Sequence, residues 1–251
     1  MTFIIHDNVY LDVRDMSKSN DFHLAIIPDG NRRWAKAHGV SEIEGHRAGV
    51  QKLHDVVRWS KELGVTTLSI WIFSTENTGR SKLEVEGLLR LFEMMLEKIE
   101  NDGGDYKELR ESAWIRFIGK PELRSKSAQK RIKSIEDKTA KNKDFTLVIL
   151  FGYGGRQEIV DATNRAIVDA KEGKIDVVDE SSFRNYLYAP DIRDPDLVFR
   201  SAGEKRFSGF EPWQTAYSEL YFSEKLWPDV TKEDFKTAIE EYKSRERRFG
   251  K

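Results

Sequence analysis

The fold of this chain is decided by residues 23–34, which read His23-Leu-Ala-Ile-Ile-Pro-Asp-Gly-Asn-Arg-Arg-Trp34. The first five residues form a short, largely apolar run, which predicts a strand over 23–27 that is buried on both faces. A polar turn follows this strand and opens a helix at Gly30 and Asn31. A strand that runs through a polar turn into a helix is the repeating unit of an α/β fold.

The same unit recurs along the chain. Further strands are predicted over residues 66–73, 114–118, 145–151 and 197–199, and helices over 45–63, 83–101, 122–141, 156–171 and 232–248. Alternation of this kind requires right-handed crossovers, so we expect an α/β fold with a central, mostly parallel sheet flanked by helices. Because no proline- or glycine-rich linker interrupts the pattern, residues 23–251 are expected to form a single domain, with residues 1–22 as an N-terminal extension.

Composition excludes several classes of protein. Of the 251 residues 39% are hydrophobic, which is enough for a large core and excludes a wholly disordered chain. The 42 basic and 43 acidic residues nearly cancel, so we expect no nucleic-acid partner. The chain has no cysteine, which excludes disulfides, thiolate zinc sites and thiol catalysis and agrees with a cytoplasmic location. The longest apolar run, residues 147–151, is far shorter than the ~20 residues that cross a bilayer.

Common catalytic signatures are absent from the sequence. It contains no GxxxxGK[ST] phosphate loop, no HExxH zinc motif and no GxSxG nucleophile elbow. Gly152, Gly154 and Gly155 follow a predicted strand, but Gln157 stands where a dinucleotide-binding GxGxxG motif needs its third glycine. The aspartate-rich DDxxD motif of trans-type prenyl synthases is also missing.

Polar side chains crowd the carboxyl ends of three predicted strands, where open α/β sheets bind their ligands. Asp29 follows the first strand and is followed by two arginines, a set that suits a magnesium-bound diphosphate. Residues 74–80 follow the second strand, and residues 200–210 combine three cations with two hydroxyls. Each segment alone could be an ordinary helix cap or capped loop. Three such strand ends together favour a site for anions.

The polar segments belong to a set of motifs that resembles one family, the cis-prenyltransferases or Z-type isoprenyl diphosphate synthases, typified by undecaprenyl diphosphate synthase. The matching stretches run in family order: HLAIIPDGNRRWAK at 23–36, EGHRAG at 44–49, FSTEN at 73–77, GGR at 154–156, RSAGEKRFSGF at 200–210, WQ at 213–214, YSELYF at 217–222, WP at 227–228 and RERRFG at 245–250. They cover all of the chain except the N-terminal extension.

The resemblance implies an enzyme that condenses isopentenyl diphosphate units onto an allylic diphosphate primer, farnesyl or geranylgeranyl diphosphate. The product would be a Z-polyprenyl diphosphate used as a lipid carrier of glycans, with a short- or medium-chain product as the alternative. It also implies a hydrophobic tunnel for the growing chain, Mg²⁺ as cofactor, a homodimer, and peripheral contact with a membrane for product release. Two rival functions are a non-catalytic accessory subunit of a heteromeric synthase and a phosphatase that uses the same anion sites.

The resemblance also assigns site residues. Asp29 matches the aspartate that holds magnesium, Glu219 the second magnesium contact, and Ser74 and Asn77 a polar pair that assists proton removal. The allylic site would be lined by Gly30, Asn31, Arg32, Arg33, Trp34, His46, Thr75, Glu76 and Arg80. The isopentenyl diphosphate site would be formed by Arg200, Arg206 and Ser208, with Arg248 and Gly250 from a C-terminal element that reaches towards the partner subunit.

Some positions depart from the family pattern. Glu42 stands where many members carry an arginine that touches the allylic diphosphate, so the local charge is reversed. Thr78 replaces a usual tryptophan, and Glu211 replaces an aliphatic residue. Four further departures are Ser81, Gly152, Gly209 and Pro212. These changes are expected to affect primer choice and product length.

Overall fold

The computed structural model describes residues 21–101 and 105–245. Its strands are β1 (His23–Ile27), β2 (Thr67–Ser74), β3 (Trp114–Ile118), β4 (Thr146–Tyr153), β5 (Leu197–Arg200) and β6 (Glu219–Phe222). Its helices are α1 (Asn31–Ala37), α2 (Glu42–Glu62), α3 (Lys82–Asn101), α4 (Asp105–Ser112), α5 (Lys126–Thr139), α6 (Gly155–Lys171), α7 (Glu180–Arg184) and α8 (Lys232–Ser244). Short 3₁₀ helices cover Thr75–Gly79, Pro121–Leu123 and Trp227–Asp229.

The strands form one sheet in the order β3-β4-β2-β1-β5-β6, and every described pairing is parallel. The prediction of an α/β fold with a mostly parallel sheet is therefore confirmed. The chain after β1 leads to β2 on one side, whereas the later crossover through α6 leads to β5 on the other. The order reverses between β1 and β5, which is where a sheet of this type opens a crevice at its carboxyl edge.

Both faces of the sheet are covered, as the apolar strands require. In β1, Leu24 and Ile26 point into a core shared with α2, α3, α5 and α8, whereas Ala25 and Ile27 point to the opposite face. This alternation follows from the two-residue period of a strand. Along the described residues, no helix is both long and apolar enough to span a membrane.

Element boundaries differ from the prediction where capping residues decide them. Helix α2 begins at Glu42, three residues before the predicted start, because Ser41 and Glu44 form a reciprocal capping box. The predicted helix over 122–141 is wrong at its start, because the chain is extended at Arg124 and Ser125 then caps α5. Helices α4 and α7 and the half-buried strand β6 were not predicted. The predicted extension falls mostly on residues outside the described ranges, but Phe22 already packs on Tyr242.

Candidate active site

The carboxyl ends of β1 and β5 bring Asp29 and Arg200 together at the point where the strand order reverses. The Nη2 atom of Arg200 donates to Oδ2 of Asp29 at 2.8 Å. Arg200 is the last residue of β5 and pairs in register with Ile27, two residues before Asp29. Register therefore places these two side chains side by side although 171 residues separate them in sequence.

Arg200 is only 3% exposed, and its guanidinium has further partners besides Asp29. Its Nη1 donates to Oγ of Ser208 at 3.0 Å and also to the backbone carbonyl of Arg206. Ser201 fixes the backbone of Asp29, because its Oγ accepts from the N–H of Asp29 and donates to the Asp29 carbonyl, both at 2.8 Å. A buried guanidinium held in this way keeps its orientation when a ligand arrives.

The turn after Asp29 depends on glycine. Gly30 has φ +103°, in the left-handed region, and a Cβ there would lie 2.9 Å from Cδ2 of Leu226 and 3.0 Å from Cβ of Ala202. Asn31 then starts α1. Helices α1 and α2 pack closely at Gly49 of α2, because a Cβ at this position would lie 2.4 Å from Oδ1 of Asn31 in α1. That oxygen is buried and has no hydrogen-bond partner among the described residues.

Two further arginines surround this pair at the surface. Arg33 lies 3.6 Å from Oδ1 of Asp29 and 3.5 Å from Oε1 of Glu204. Arg206 pairs with the same Glu204, and its side chain is 60% exposed. The structure thus brings together Asp29, Arg33, Arg200 and Ser208. Arg206 reaches Arg200 through its backbone carbonyl, while its own guanidinium stays on the solvent side.

Three more of the predicted basic residues meet at a carboxylate that the sequence reasoning missed. Arg80, His46 and Arg32 all lie within 3.9 Å of Oε1 of Glu84, in the first turn of α3. Arg80 precedes α3 and has an extended backbone, so the spacing rule for helix faces does not apply to Arg80 and Glu84, and their separation of four residues was only a weak signal. Burial, followed by the charge of Arg80, lowers the pKa of His46 and so favours the neutral imidazole.

The segment after β2 forms a compact polar turn. Oδ1 of Asn77 accepts from the N–H of Ser74 at 3.0 Å, and the Ser74 hydroxyl donates to Glu76. Although burial opposes it, the hydrogen bonds that Glu76 receives from Ser74, from its own backbone and from Thr75 lower its pKa. Thr75 packs against the backbone of Gly154, where a Cβ would lie 2.2 Å from Oγ1 of Thr75. The four polar residues 74–77 are therefore held together beside β4.

Two predicted residues lie apart from this cluster. Glu219 starts β6 and pairs in register with Leu197, so it lies at the amino end of the sheet, three residues before the partner of Arg200. There it accepts from Nη1 of Arg245 at 2.6 Å. At a rise of ~3.3 Å per residue, three residues of strand separate Glu219 from the level of Arg200 by about 10 Å. Within a single chain, Glu219 therefore does not lie beside Asp29.

The Trp34 side chain makes contacts outside this cluster. It donates to Oδ1 of Asp229 and stacks on His38. Arg248 and Gly250 lie outside the described residues.

A buried carboxyl group occupies position 211, one of the positions that departs from the family pattern. Glu211 is 4% exposed, and no hydrogen-bond partner within the described part of the chain reaches its Oε2. Burial, together with the negative charges of Glu158 and Asp194, raises the pKa of Glu211 well above its ordinary value. An acid that is kept neutral without a partner destabilises the folded state.

We therefore expect Glu211→Leu to raise the free energy of unfolding at neutral pH by roughly 1–3 kcal/mol, the usual cost of a buried polar group without a partner. Because the folded-state pKa lies above the unfolded value, this destabilisation grows as pH rises through the unfolded pKa and levels off above the folded one. Urea unfolding at pH 5 and pH 8 measures it as the difference between variant and wild type. Glu211→Gln is the control that removes the titration but keeps a polar atom. The same difference at both pH values would contradict a raised pKa.

Known proteins are similar to this chain over most of its length. The sequence profile of the family described as putative undecaprenyl diphosphate synthase matches residues 27–250. An isoprenyl transferase of Thermotoga maritima is 48% identical over 230 residues, which cover 91% of this chain and 96% of that protein. A tritrans,polycis-undecaprenyl-diphosphate synthase (geranylgeranyl-diphosphate specific) of Picrophilus torridus is 44% identical over 91% of this chain and 89% of its own length.

The fold has a similar match among solved structures. The crystal structure of lavandulyl diphosphate synthase from Lavandula x intermedia, in complex with dimethylallyl diphosphate, superposes with a TM-score of 0.85 at 36% identity. The match covers 91% of this chain and 98% of that chain.

Proposed function

The chain belongs to the undecaprenyl diphosphate synthase family of prenyltransferases, and on that premise we propose that it condenses isopentenyl diphosphate with an allylic diphosphate primer. The observation that carries the proposal is the Asp29–Arg200 pair at the carboxyl edge of the sheet, with Arg33 3.6 Å from Asp29. An accessory subunit would have no need of a buried arginine that is held on an accessible carboxylate. The solved lavandulyl diphosphate synthase holds dimethylallyl diphosphate, itself an allylic diphosphate, which supports the same ligand class here.

Mg²⁺ is the cofactor that we assign to this edge. No three His, Asp or Glu side chains cluster closely enough to hold a metal ion within residues 21–101 and 105–245. Mg²⁺ commonly uses one or two carboxylates and completes its shell with substrate phosphates and water. The Asp29 side chain is 32% exposed and fits that mode. When bound, the ion would supply positive charge to the departing diphosphate.

The chemistry is then divided among the residues of this chain. The allylic C–O bond breaks, the diphosphate leaves, and the alkene of isopentenyl diphosphate forms the new carbon–carbon bond and loses a proton. Arg32, Arg33 and Arg80 stabilise the negative charge on the departing group, and Arg200 and Ser208 hold the isopentenyl diphosphate. Asn77 accepts from the N–H of Ser74 through Oδ1, so its NH₂ group remains to position a diphosphate oxygen as the proton acceptor.

A hydrocarbon tail needs an apolar path away from these charges. Val50, Ile72, Val85 and Leu89 are half-buried on α2, β2 and α3 and pack against the same core. Each lies within five residues of a polar site residue, and we assign them to the wall of the tail site. In the core against which they pack, Phe92 stacks on Phe151 at 3.6 Å, and Phe151 stacks on Phe73 at 4.9 Å. This buried stack would form the floor that a long product must displace.

We expect Ile72→Ala to lengthen the mean product by one or more isoprene units. Each buried methylene contributes about 0.8 kcal/mol, so elongation continues until a close-packed wall stops it. Product length is measured by mass spectrometry at equal substrate ratios, with Met94→Ala, at a residue of α3 that is 49% exposed, as the control. An unchanged or shorter distribution would show that Ile72 does not face the growing chain.

Further proposals concern the primer, the product, the oligomeric state and the contact of the enzyme with a membrane. The name of the Picrophilus relative favours geranylgeranyl diphosphate over farnesyl diphosphate as primer. A long Z-polyprenyl diphosphate is the proposed product, formed by a cytoplasmic homodimer. Leu83, which is 82% exposed, directly precedes Glu84 in sequence, and Val40, which is 39% exposed, precedes Ser41 and Glu42. These exposed apolar side chains support peripheral contact with a membrane during product release.

Release of diphosphate tests the reaction class. A coupled assay with each substrate alone and with both together should detect release only with both, and EDTA should abolish it. Release of phosphate or of diphosphate from the allylic diphosphate alone would favour a hydrolase of the phosphatase class, and no release with any primer would favour an accessory subunit.

A further inference from the structure

The buried carboxylate of Glu84 joins three elements of the proposed allylic site. Its side chain is 7% exposed, and Nη1 of Arg80 donates to its Oε1 at 2.8 Å. Nε2 of His46 lies 3.3 Å from the same oxygen, and Nε of Arg32 lies 3.9 Å from it. One carboxylate oxygen of Glu84, on α3, therefore contacts residues from α1, from α2 and from the segment after β2.

A carboxylate that is buried to this degree is costly unless it is paired, and a bond to a charged partner is stronger than a neutral one. Arg80 and Arg32 are long side chains that would otherwise sample many rotamers. Holding them in one orientation before the ligand arrives reduces the entropy lost on binding. The geometry of Glu84 therefore suits a group that orders cations which do the binding.

Glu42 holds one of the same cations from the solvent side. Its Oε1 lies 2.8 Å from both Nε and Nη2 of Arg32, and its side chain is 47% exposed. The cluster then contains two arginines and two carboxylates, whose charges balance when His46 is neutral. A diphosphate must draw Arg32 away from Glu42, the exposed competitor, whereas Glu84 stays in place beneath it.

We propose that Glu84 is a positioning residue for the allylic diphosphate, which acts through Arg80, His46 and Arg32, and that Glu42 opposes binding by competing for Arg32. The inference rests on the proposed function, because it takes these three basic residues as the ones that receive the allylic diphosphate. It predicts opposite effects for two carboxylates that contact the same arginine.

Calorimetric titration of geranylgeranyl diphosphate into the full-length protein tests this role without turnover. Glu84→Gln should raise Kd roughly tenfold or more, as expected when a charge-assisted bond is lost. Glu42→Gln should lower Kd, because it frees Arg32. Glu86→Gln is the matched control, since Glu86 lies on the same helix, is 53% exposed and is 3.9 Å from Lys82. It should leave Kd within about twofold of wild type, a change of under ~0.4 kcal/mol.

The kinetic readout separates positioning from a general structural effect. Glu84→Gln should raise KM for the allylic substrate and leave KM for isopentenyl diphosphate near the wild-type value, and Glu84→Asp, which keeps the charge, should recover part of the affinity. If Glu84→Gln does not fold, Glu84→Asp alone carries the test and should show a smaller rise in the same direction. Equal damage to both substrates, or an unchanged Kd, would overturn the positioning role. A wild-type protein that binds none of dimethylallyl, farnesyl and geranylgeranyl diphosphate would overturn the proposed function itself.

Discussion

Replacing Asp29 with Asn is expected to lower turnover at least ~10³-fold, as for removal of a principal electrostatic or metal-linked group. The structure favours Asn over Ala for this test. Asp29 accepts from the buried Arg200 at 2.8 Å, and an alanine would leave that guanidinium without its charged partner. Breaking such a pair commonly costs about 3–5 kcal/mol, which would confuse lost activity with lost stability.

The measurement is kcat at saturating Mg²⁺, together with the urea midpoint of each protein. Asp55→Asn, at an exposed carboxylate on α2, is the control and should behave as wild type. If Asp29→Asn kept more than a tenth of the wild-type turnover, Asp29 would not be the metal-linked group.

The second large effect is expected for Arg200→Lys. The fork of Arg200 serves Asp29 through Nη2 and Ser208 through Nη1. An ammonium keeps the charge but cannot reproduce this planar geometry. We expect kcat/KM for isopentenyl diphosphate to fall roughly 10²-fold, as for loss of one or two charge-assisted bonds.

Arg206→Lys provides the comparison, because the Arg206 side chain is mostly exposed and pairs with Glu204. Its effect should be smaller, and neither variant should change KM for the allylic primer by more than about twofold, under ~0.4 kcal/mol. An equal rise in both substrates' KM values would contradict the division into two anion sites.

Much of the fold follows from local sequence. The strands at His23–Ile27 and Trp114–Ile118 have the predicted ends, because short apolar runs bounded by polar turns leave little choice. Strand β6 was missed because all four of its residues are half-buried at a sheet edge, where the apolar pattern is weak. Helix α2 was predicted to start late, although Ser41 and Glu44 carry a capping-box signal.

Part of the site could also be predicted from the order of the strands. Residues at the ends of parallel strands share one edge, so Asp29 and Arg200 could be expected to meet. The sequence did not show that β6 is a strand parallel to β5. This arrangement places Glu219 at the amino end of the sheet, opposite to the edge that carries Asp29. Glu84 was missed because Arg32 and His46 come from distant segments and Arg80 lies just outside α3, so these contacts exist only after the helices pack.

Product analysis tests the central claim most directly. The purified full-length protein is incubated with Mg²⁺, labelled isopentenyl diphosphate and, in turn, dimethylallyl, farnesyl and geranylgeranyl diphosphate, and the products are examined by mass spectrometry and NMR. The account predicts a polyprenyl diphosphate with Z double bonds in every added unit, one diphosphate released for each unit added, and no product from Asp29→Asn. Hydrolysed primer without a new carbon–carbon bond, or E geometry in the added units, would contradict it.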